Sequence, residues 1–236
     1  VMTCTRMLQK HSGVDRTHVI TYDVVPLDSA SGILSMVRNC KTLYDVAREG
    51  YTIQNYLIEH NQEKHVCMLR QMFSRSCAFT TILSYVLGLG DRHLNNILIT
   101  YEGSLFHIDF GYIMGAEVSH RIIQHKLKLT SEMLDALGGK HSHDYREFEH
   151  LCRTVFQAAR DNVLSYVLLF QSLAELGHIT LDQMKTHVLN RFAPGEERQQ
   201  ASILFDVTLR KHSSGYTNTI ENVYDKLYDL KRKWFS

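Results

Sequence analysis

The sequence predicts an α+β domain in which short strands come first and helices form the larger part. Residues 19–25 and 33–37 have the apolar, β-branched composition of strands, and a polar loop with proline and glycine separates them. A β-hairpin pattern follows at residues 97–108, and most of the remaining chain carries apolar residues at helical spacing. Strands and helices that are segregated along the chain are typical of α+β folds.

The bulk composition allows one large core and disfavours several classes of protein. The chain has 236 residues, of which 44% are apolar, so it is long enough for one large domain. Its net charge of +1 disfavours a protein held to nucleic acid by phosphate contacts, and we expect no nucleic-acid partner. The five cysteines form no C-x-x-C pair, which is typical of reduced thiols in a cytosolic protein. The longest apolar run, residues 78–89, is too short to span a bilayer.

The first half of the chain begins with a helical pattern over residues 1–9, before which there is no capping residue. This pattern predicts that the chain is part of a longer polypeptide. After the two strands, residues 38–41 are predicted to form an exit turn. The chain is then mainly helical, and a long helix that ends near residue 87 leads into Gly88-Leu89-Gly90.

The second half is predicted to be almost entirely helical. Residues 112–128 have no clear period, and Thr130 then caps a short helix that Gly138 and Gly139 end. Residues 148–176 form one or two long amphipathic helices. Two shorter helices follow over residues 181–189 and 199–209.

Residues 90–111 carry the chemistry that the sequence predicts. Asp91 and Asn96 lie five residues apart, the spacing of Asp and Asn in the catalytic loop of protein kinases, and Asp109-Phe110-Gly111 follows. A hairpin over residues 97–108 would bring Asn96 next to Asp109. Oxygen ligands of this kind suit magnesium, and Asp91 would orient an accepting hydroxyl or take its proton. Either motif alone would be read as a capped turn or a strand end, but together they predict phosphoryl transfer.

The order of residues in the loop identifies a particular family. Ordinary protein kinases have His-Arg-Asp, whereas Asp91-Arg92-His93 has the reverse order. Residues 88–96 read G-L-G-D-R-H-L-N-N and residues 107–111 read H-I-D-F-G. This double motif resembles the phosphatidylinositol 3- and 4-kinases and the related large protein kinases. The segment 127–139 resembles the class III phosphatidylinositol 3-kinases in particular.

The resemblance implies a protein-kinase-like fold, mainly the helical C-terminal lobe with a remnant of the N-lobe sheet and hinge. Residues 1–37 would be the C-terminal part of the N-lobe, and residues 38–236 the C-lobe. The implied cofactors are ATP and magnesium, with manganese possible, and Asn96 and Asp109 would hold the metal. The following residues would be catalytic: Asp91, Arg92, His93 and His107. The hinge residues Ser35, Met36 and Val37 would line the adenine. His107 has the alternative of an ordinary strand histidine.

One part of the family's site is absent from the sequence. The chain has neither a glycine-rich phosphate loop nor a counterpart of the strand lysine that contacts the nucleotide. We therefore expect a fragment of a longer kinase; the alternative is a remnant that has lost its N-lobe.

Features on both sides of the motif bear on the substrate. Basic residues after Asp109-Phe110-Gly111 suit an inositol phospholipid; these are Arg121, Lys126 and Lys128. A basic amphipathic pattern over residues 223–234 suits an anionic membrane surface, although a helix packed on the domain would give the same pattern. Residues 24–27, in contrast, resemble the related protein kinases.

These features lead to an expected function. We expect a phosphatidylinositol kinase of the 3-kinase type that transfers the γ-phosphate of ATP to an inositol-ring hydroxyl. It would be cytoplasmic and peripheral on intracellular membranes, with phosphatidylinositol as substrate and a regulatory protein as a possible partner. The alternatives are a Ser/Thr protein kinase of the related branch and a non-catalytic kinase-like binding module.

Overall fold

The computed structural model describes residues 1–28, 31–116, 127 and 129–212, and helices dominate this part of the chain. The helices in order are α1 Met2–Ser12, α2 Leu43–Arg48, α3 Ile53–His60, α4 Val66–Leu87, α5 Ser131–Ala136, α6 His143–Asp161, α7 Val163–Glu175, α8 Leu181–Phe192 and α9 Arg198–His212. The strands are β1 Val24–Pro26, β2 Gly32–Leu34, β3 Cys40–Thr42, β4 Ile97–Thr100 and β5 Leu105–His107. The predicted mixed, mainly helical architecture is confirmed.

The strands form two small antiparallel sheets. β1 and β2 make a two-stranded ribbon in which Val25 pairs with Ile33. β3, β4 and β5 make a three-stranded sheet in that order, and Ile97 of β4 pairs with His107 of β5. The hairpin predicted at residues 97–108 is therefore confirmed, and β5 is an edge strand of the described sheet.

The structure differs from the prediction at the first two strands and at the turn after them. The regular strands are shorter than residues 19–25 and 33–37. Residues 40–42 form β3, although a turn was predicted there, because Lys41 pairs with Ile99 of β4. Such a partner lies far along the chain, so local sequence periodicity does not reveal it.

Helix α4 is the centre of the core and leads into the loop of residues 88–96, which carries the predicted catalytic residues. It packs against α1, α6 and β5. Its C-terminal half is buried around most of its circumference, which explains why residues 78–87 are apolar with few interruptions. Tyr85 of α4 makes edge contacts with Phe156 of α6 and Phe205 of α9, and the two phenylalanine rings stack 4.5 Å apart. These aromatic contacts fix the C-terminal end of α4.

The predicted second-half helices are present, and their starts follow capping residues. Thr130 caps α5 as predicted, through a hydrogen bond from the Met133 amide. α6 begins five residues earlier than the predicted segment because Ser142 caps it. No helix in the described ranges is long and apolar enough to cross a membrane. The amphipathic pattern over residues 223–234 lies outside the described residues.

Helix α8 begins with a complete capping box. The Thr180 hydroxyl accepts a hydrogen bond from the Gln183 amide at 3.1 Å, and the Gln183 side chain accepts one from the Thr180 amide at 2.8 Å. We expect Thr180→Ala to lower the free energy of unfolding by about 1 kcal/mol. Urea unfolding measures this change. Thr180→Ser keeps the hydroxyl and should stay close to wild type; equal losses in both variants would contradict a capping role.

Candidate active site

The loop that carries the predicted catalytic residues is fixed at its start by main-chain hydrogen bonds to residues 112–115. α4 ends at Gly88, whose φ of +59° lies in the left-handed region. Residues 112–115 run beside the loop, and the Gly90 amide donates to the Tyr112 carbonyl at 3.0 Å. On the same side, the Met114 amide donates to the Leu87 carbonyl at 2.9 Å. The end of α4 therefore places Asp91 next to the chain that follows Asp109.

Asp91, His93 and Asn96 lie together in this loop, as the sequence predicts. Asp91 is half-buried and has a φ of +50°. The His93 Nε2 atom lies 3.9 Å from the Asp91 Oδ2 atom. Asn96 is buried, and its Nδ2 atom donates to the Asp91 main-chain carbonyl at 3.0 Å. Since the Asn96 amide nitrogen is used in this way, its Oδ1 atom is the atom available as a metal ligand.

Asp109 follows β5, and Asn96 precedes β4, so the two residues lie side by side at the open end of the hairpin. The Ile108 amide donates to the Asn96 carbonyl at 3.2 Å, which joins the two ends of β4 and β5. Asp109 is exposed, has a φ of +57°, and accepts a hydrogen bond from the Gly111 amide at 3.2 Å. One carboxylate and one amide oxygen form a hard oxygen donor set, and such sites bind Mg²⁺ together with phosphate oxygens. The residues present therefore fit the metal that the sequence predicts.

Arg92 is buried, with its guanidinium turned to main-chain carbonyls. Its Nε atom donates to the Gly90 carbonyl at 2.7 Å, and its Nη1 atom donates to the Ile108 carbonyl at 2.7 Å. Its Nη2 atom donates to the Asp109 carbonyl. Arg92 thus joins the catalytic loop to the strand end that carries Asp109.

His107 is also buried, and its surroundings differ from those of a proton-transfer group. Among the described residues its Nδ1 atom has no hydrogen-bond partner, and the main chain of Asn96 and of Thr80 lies beside the ring. Burial, with the Arg92 cation nearby, lowers the pKa of His107 to about 3. It is therefore neutral near pH 7, which disfavours a role as a proton donor there. The geometry favours the alternative of a strand histidine for this residue.

Three side chains that sequence reasoning missed complete the free edge of β5. The Ser76 hydroxyl accepts from the Leu105 amide at 2.8 Å, and the Thr80 hydroxyl donates to the Leu105 carbonyl at 3.0 Å. The Tyr22 hydroxyl donates to the His107 carbonyl at 3.1 Å. These bonds replace a fourth strand and cover the edge. Ser76 and Thr80 lie four residues apart in an apolar helix, a signal that the sequence does contain.

The other predicted binding residues lie outside the loop and hairpin. Ser35, Met36 and Val37 follow β2 at the end of the two-stranded ribbon. The Ser35 amide donates to the Asp23 carbonyl at 2.9 Å, and the Met36 side chain is 90% exposed. The predicted lipid-contacting residues lie outside the described part of the chain: Arg121, Lys126 and Lys128.

One group with metal-ligating side chains lies away from this loop, at the start of α6. The ligand atoms of His143, Asp144 and Glu147 are within 4.8 Å of one another. His143 is exposed, and the Arg70 guanidinium lies 4.0 Å from the Asp144 carboxylate. A cation there would compete with Arg70 and would face the positive end of the helix dipole, so this group is a poor metal site.

Comparison with known proteins identifies relatives of this chain. The chain is 31% identical to the phosphatidylinositol 3-kinase pik3 of Schizosaccharomyces pombe over 98% of its own length. It is 26% identical to the phosphatidylinositol 3-kinase VPS34 of Saccharomyces cerevisiae over 99% of its length. The chain spans about 30% of the first of these relatives and 27% of the second.

A family comparison covers the whole site. Residues 1–182 match the family model for phosphatidylinositol 3- and 4-kinase. This range contains the catalytic loop, the hairpin and Asp109. Because the match covers well over half of the sequence, the chain belongs to the phosphatidylinositol 3- and 4-kinase family.

Proposed function

We propose that the protein is a phosphatidylinositol 3-kinase, in which this chain supplies the catalytic loop and the metal ligands. One observation supports this most strongly: the hairpin places the Asn96 amide and the Asp109 carboxylate at one end of the sheet, next to the half-buried Asp91. The relatives named above are phosphatidylinositol 3-kinases, which favours the inositol 3-hydroxyl as the acceptor. This support favours a lipid kinase over a protein kinase or a non-catalytic module.

The proposed reaction needs few groups from the protein. The inositol hydroxyl oxygen attacks the γ-phosphorus, the bond from that phosphorus to the bridging oxygen breaks, and ADP leaves. The Asp91 carboxylate takes the hydroxyl proton, and His93 stabilises charge on the transferring phosphate. Asn96 and Asp109 would hold Mg²⁺, or Mn²⁺, which would neutralise charge on the phosphates.

We propose a bilobal kinase arrangement in which ATP binds between the lobes. Residues 1–37 belong to the N-lobe, residues 38–236 form the C-lobe, and Ser35, Met36 and Val37 line the adenine. The exposure of Met36 is compatible with a nucleotide contact. In this arrangement α1 would be the N-lobe element that packs on the C-lobe, since Cys4 and Leu8 are buried in the core with α4 and α6.

We propose that the lipid is met at a membrane surface. Arg121, Lys126 and Lys128 contact the inositol headgroup, and the basic residues near the end of the sequence contact anionic lipid. The protein would then be cytoplasmic and peripheral on intracellular membranes, with a regulatory protein partner. The support for this proposal is the charge pattern of the sequence and the names of the relatives.

A substrate comparison tests the proposed function. We expect the full-length protein, given ATP and Mg²⁺, to phosphorylate phosphatidylinositol in mixed vesicles with phosphatidylserine. The deacylated product should elute with a 3-phosphate standard in chromatography. Vesicles of phosphatidylserine alone are the blank, and a Ser/Thr peptide mixture is the competing substrate. Product on peptide alone would contradict the lipid assignment, and a 4-phosphate product would contradict the ring position.

A further inference from the structure

The two acidic residues of the site share an uncommon backbone conformation. Asp91 has a φ of +50° and Asp109 a φ of +57°. For a residue other than glycine, this left-handed region is strained, although less for aspartate than for most residues. Such strain persists only where the surrounding structure enforces it, and it is concentrated at functional sites. The contacts that hold Asp91 and Asp109 in this conformation therefore contribute to the geometry of the site.

Each of the four carbonyl groups that border these two residues accepts a side-chain hydrogen bond. The Gly90 carbonyl precedes Asp91, the Ile108 carbonyl precedes Asp109, and both accept from Arg92. The carbonyl of Asp109 itself accepts from Arg92, and that of Asp91 accepts from Asn96. One guanidinium therefore holds three of the four peptide groups that set the direction of the two carboxylates.

We propose that Arg92 is a positioning residue that holds Asp91 and Asp109 in their left-handed conformations and so fixes their carboxylates for the metal and the acceptor hydroxyl. This inference rests on the proposed function for the role of the two carboxylates. The planar guanidinium is suited to this task because its donors are held in a fixed fork, whereas a lysine has one compact ammonium group. Three carbonyls that point towards one cation are also held more strongly than they would be by neutral donors.

The chain provides a matched control outside the site. Arg160 also donates to three main-chain carbonyls, those of Phe192, Ala193 and Glu196. Ala193, like Asp91 and Asp109, has a positive φ, of +44°. An Arg→Lys change therefore removes the same kind of contact at both places, but only Arg92 adjoins the candidate metal ligands.

Manganese affinity tests the proposal without using lipid. We expect Arg92→Lys to weaken Mn²⁺ binding about 10–100-fold, measured by electron paramagnetic resonance on the full-length protein with a non-hydrolysable ATP analogue. Arg160→Lys should lower the thermal midpoint but leave Mn²⁺ affinity within about twofold of wild type. A folded Arg92→Lys protein with wild-type Mn²⁺ affinity would overturn the proposal. If the protein does not phosphorylate lipid, that result contradicts the proposed substrate only. The ratio of Mn²⁺ affinities between wild type and Arg92→Lys still tests the role of Arg92.

Hydrogen exchange on the wild-type protein gives a test that needs no folded variant. If Arg92 fixes the site in advance, the Gly90 and Ile108 amides, which donate to the Tyr112 and Asn96 carbonyls, should be protected without nucleotide and change little when Mn²⁺ and the ATP analogue are added. Free exchange of these amides before addition and protection afterwards would show that the ligands, and not Arg92, order the segment.

Discussion

Asp109→Asn is expected to lower the rate of lipid phosphorylation by about 10³-fold while leaving the fold intact. The loss follows because Asp109 supplies the carboxylate of the proposed metal site, and weaker electrostatic stabilisation of the transferring phosphate typically costs about 10²–10³-fold. Asparagine is the informative replacement. It tolerates the left-handed conformation at φ +57° and can still accept the hydrogen bond from the Gly111 amide.

The measurement compares kcat with stability in the same variants. Because Asp109 is exposed, we expect the free energy of unfolding of the Asp109→Asn protein to differ from wild type by no more than about 0.5 kcal/mol. Asp28→Asn is the matched control, since the Asp28 carboxylate is also exposed and accepts from a nearby amide, that of Ser31, at 2.8 Å. Asp28→Asn should retain wild-type kcat. If the Asp109→Asn protein keeps more than about a tenth of the wild-type activity, this result would contradict the proposal that Asp109 is a metal ligand.

The parts of the fold that could be predicted from the sequence depend on local patterns. The hairpin of β4 and β5 has two short apolar runs around a turn with Gly103, and the cap of α5 is a threonine immediately before the helix. In both cases the partners are near neighbours in the chain. β3 could not be predicted in this way because its partner, β4, is distant in sequence and no signal in residues 40–42 specifies it.

The same distinction applies within the site. The spacing of the motif predicts that Asp91, Asn96 and Asp109 belong to one site, and the hairpin explains why they lie close together. The positions of Arg92 and His107 depend instead on which main-chain carbonyls surround them, and these come from separate parts of the chain. A sequence motif therefore identified Arg92 as a site residue but could not show that it faces the backbone.

Gly88→Ala is expected to destabilise the protein by about 2–5 kcal/mol, because two separate costs add. The left-handed conformation at φ +59° costs a non-glycine residue of order 1–2 kcal/mol. A methyl group at Gly88 would also lie 2.6 Å from the His187 ring and 2.8 Å from the Gly115 amide nitrogen. Overpacking of this kind adds about 1–3 kcal/mol.

His187 cannot easily move to make room for that methyl group. Its Nε2 atom lies 2.8 Å from the Val86 carbonyl, and burial lowers the pKa of His187 to about 4, so near pH 7 the neutral ring donates this bond. Moving the ring would leave a buried carbonyl at the end of α4 without its donor, which itself costs about 1–3 kcal/mol. The Gly115 amide is held as well, because it donates to the Gly88 carbonyl at 2.9 Å.

Gly13→Ala separates the two costs. Gly13 ends α1 with a similar φ of +67°, but no atom lies within 4 Å of the position of an added methyl group. Urea unfolding should therefore show a loss of about 1–2 kcal/mol for Gly13→Ala and a clearly larger loss for Gly88→Ala. Only Gly88→Ala should also lower kcat, since Gly88 connects α4 to the loop that carries Asp91. Equal losses of stability in the two variants would show that His187 and Gly115 can move to admit the methyl group. Their packing against Gly88 would then not position the loop that carries Asp91.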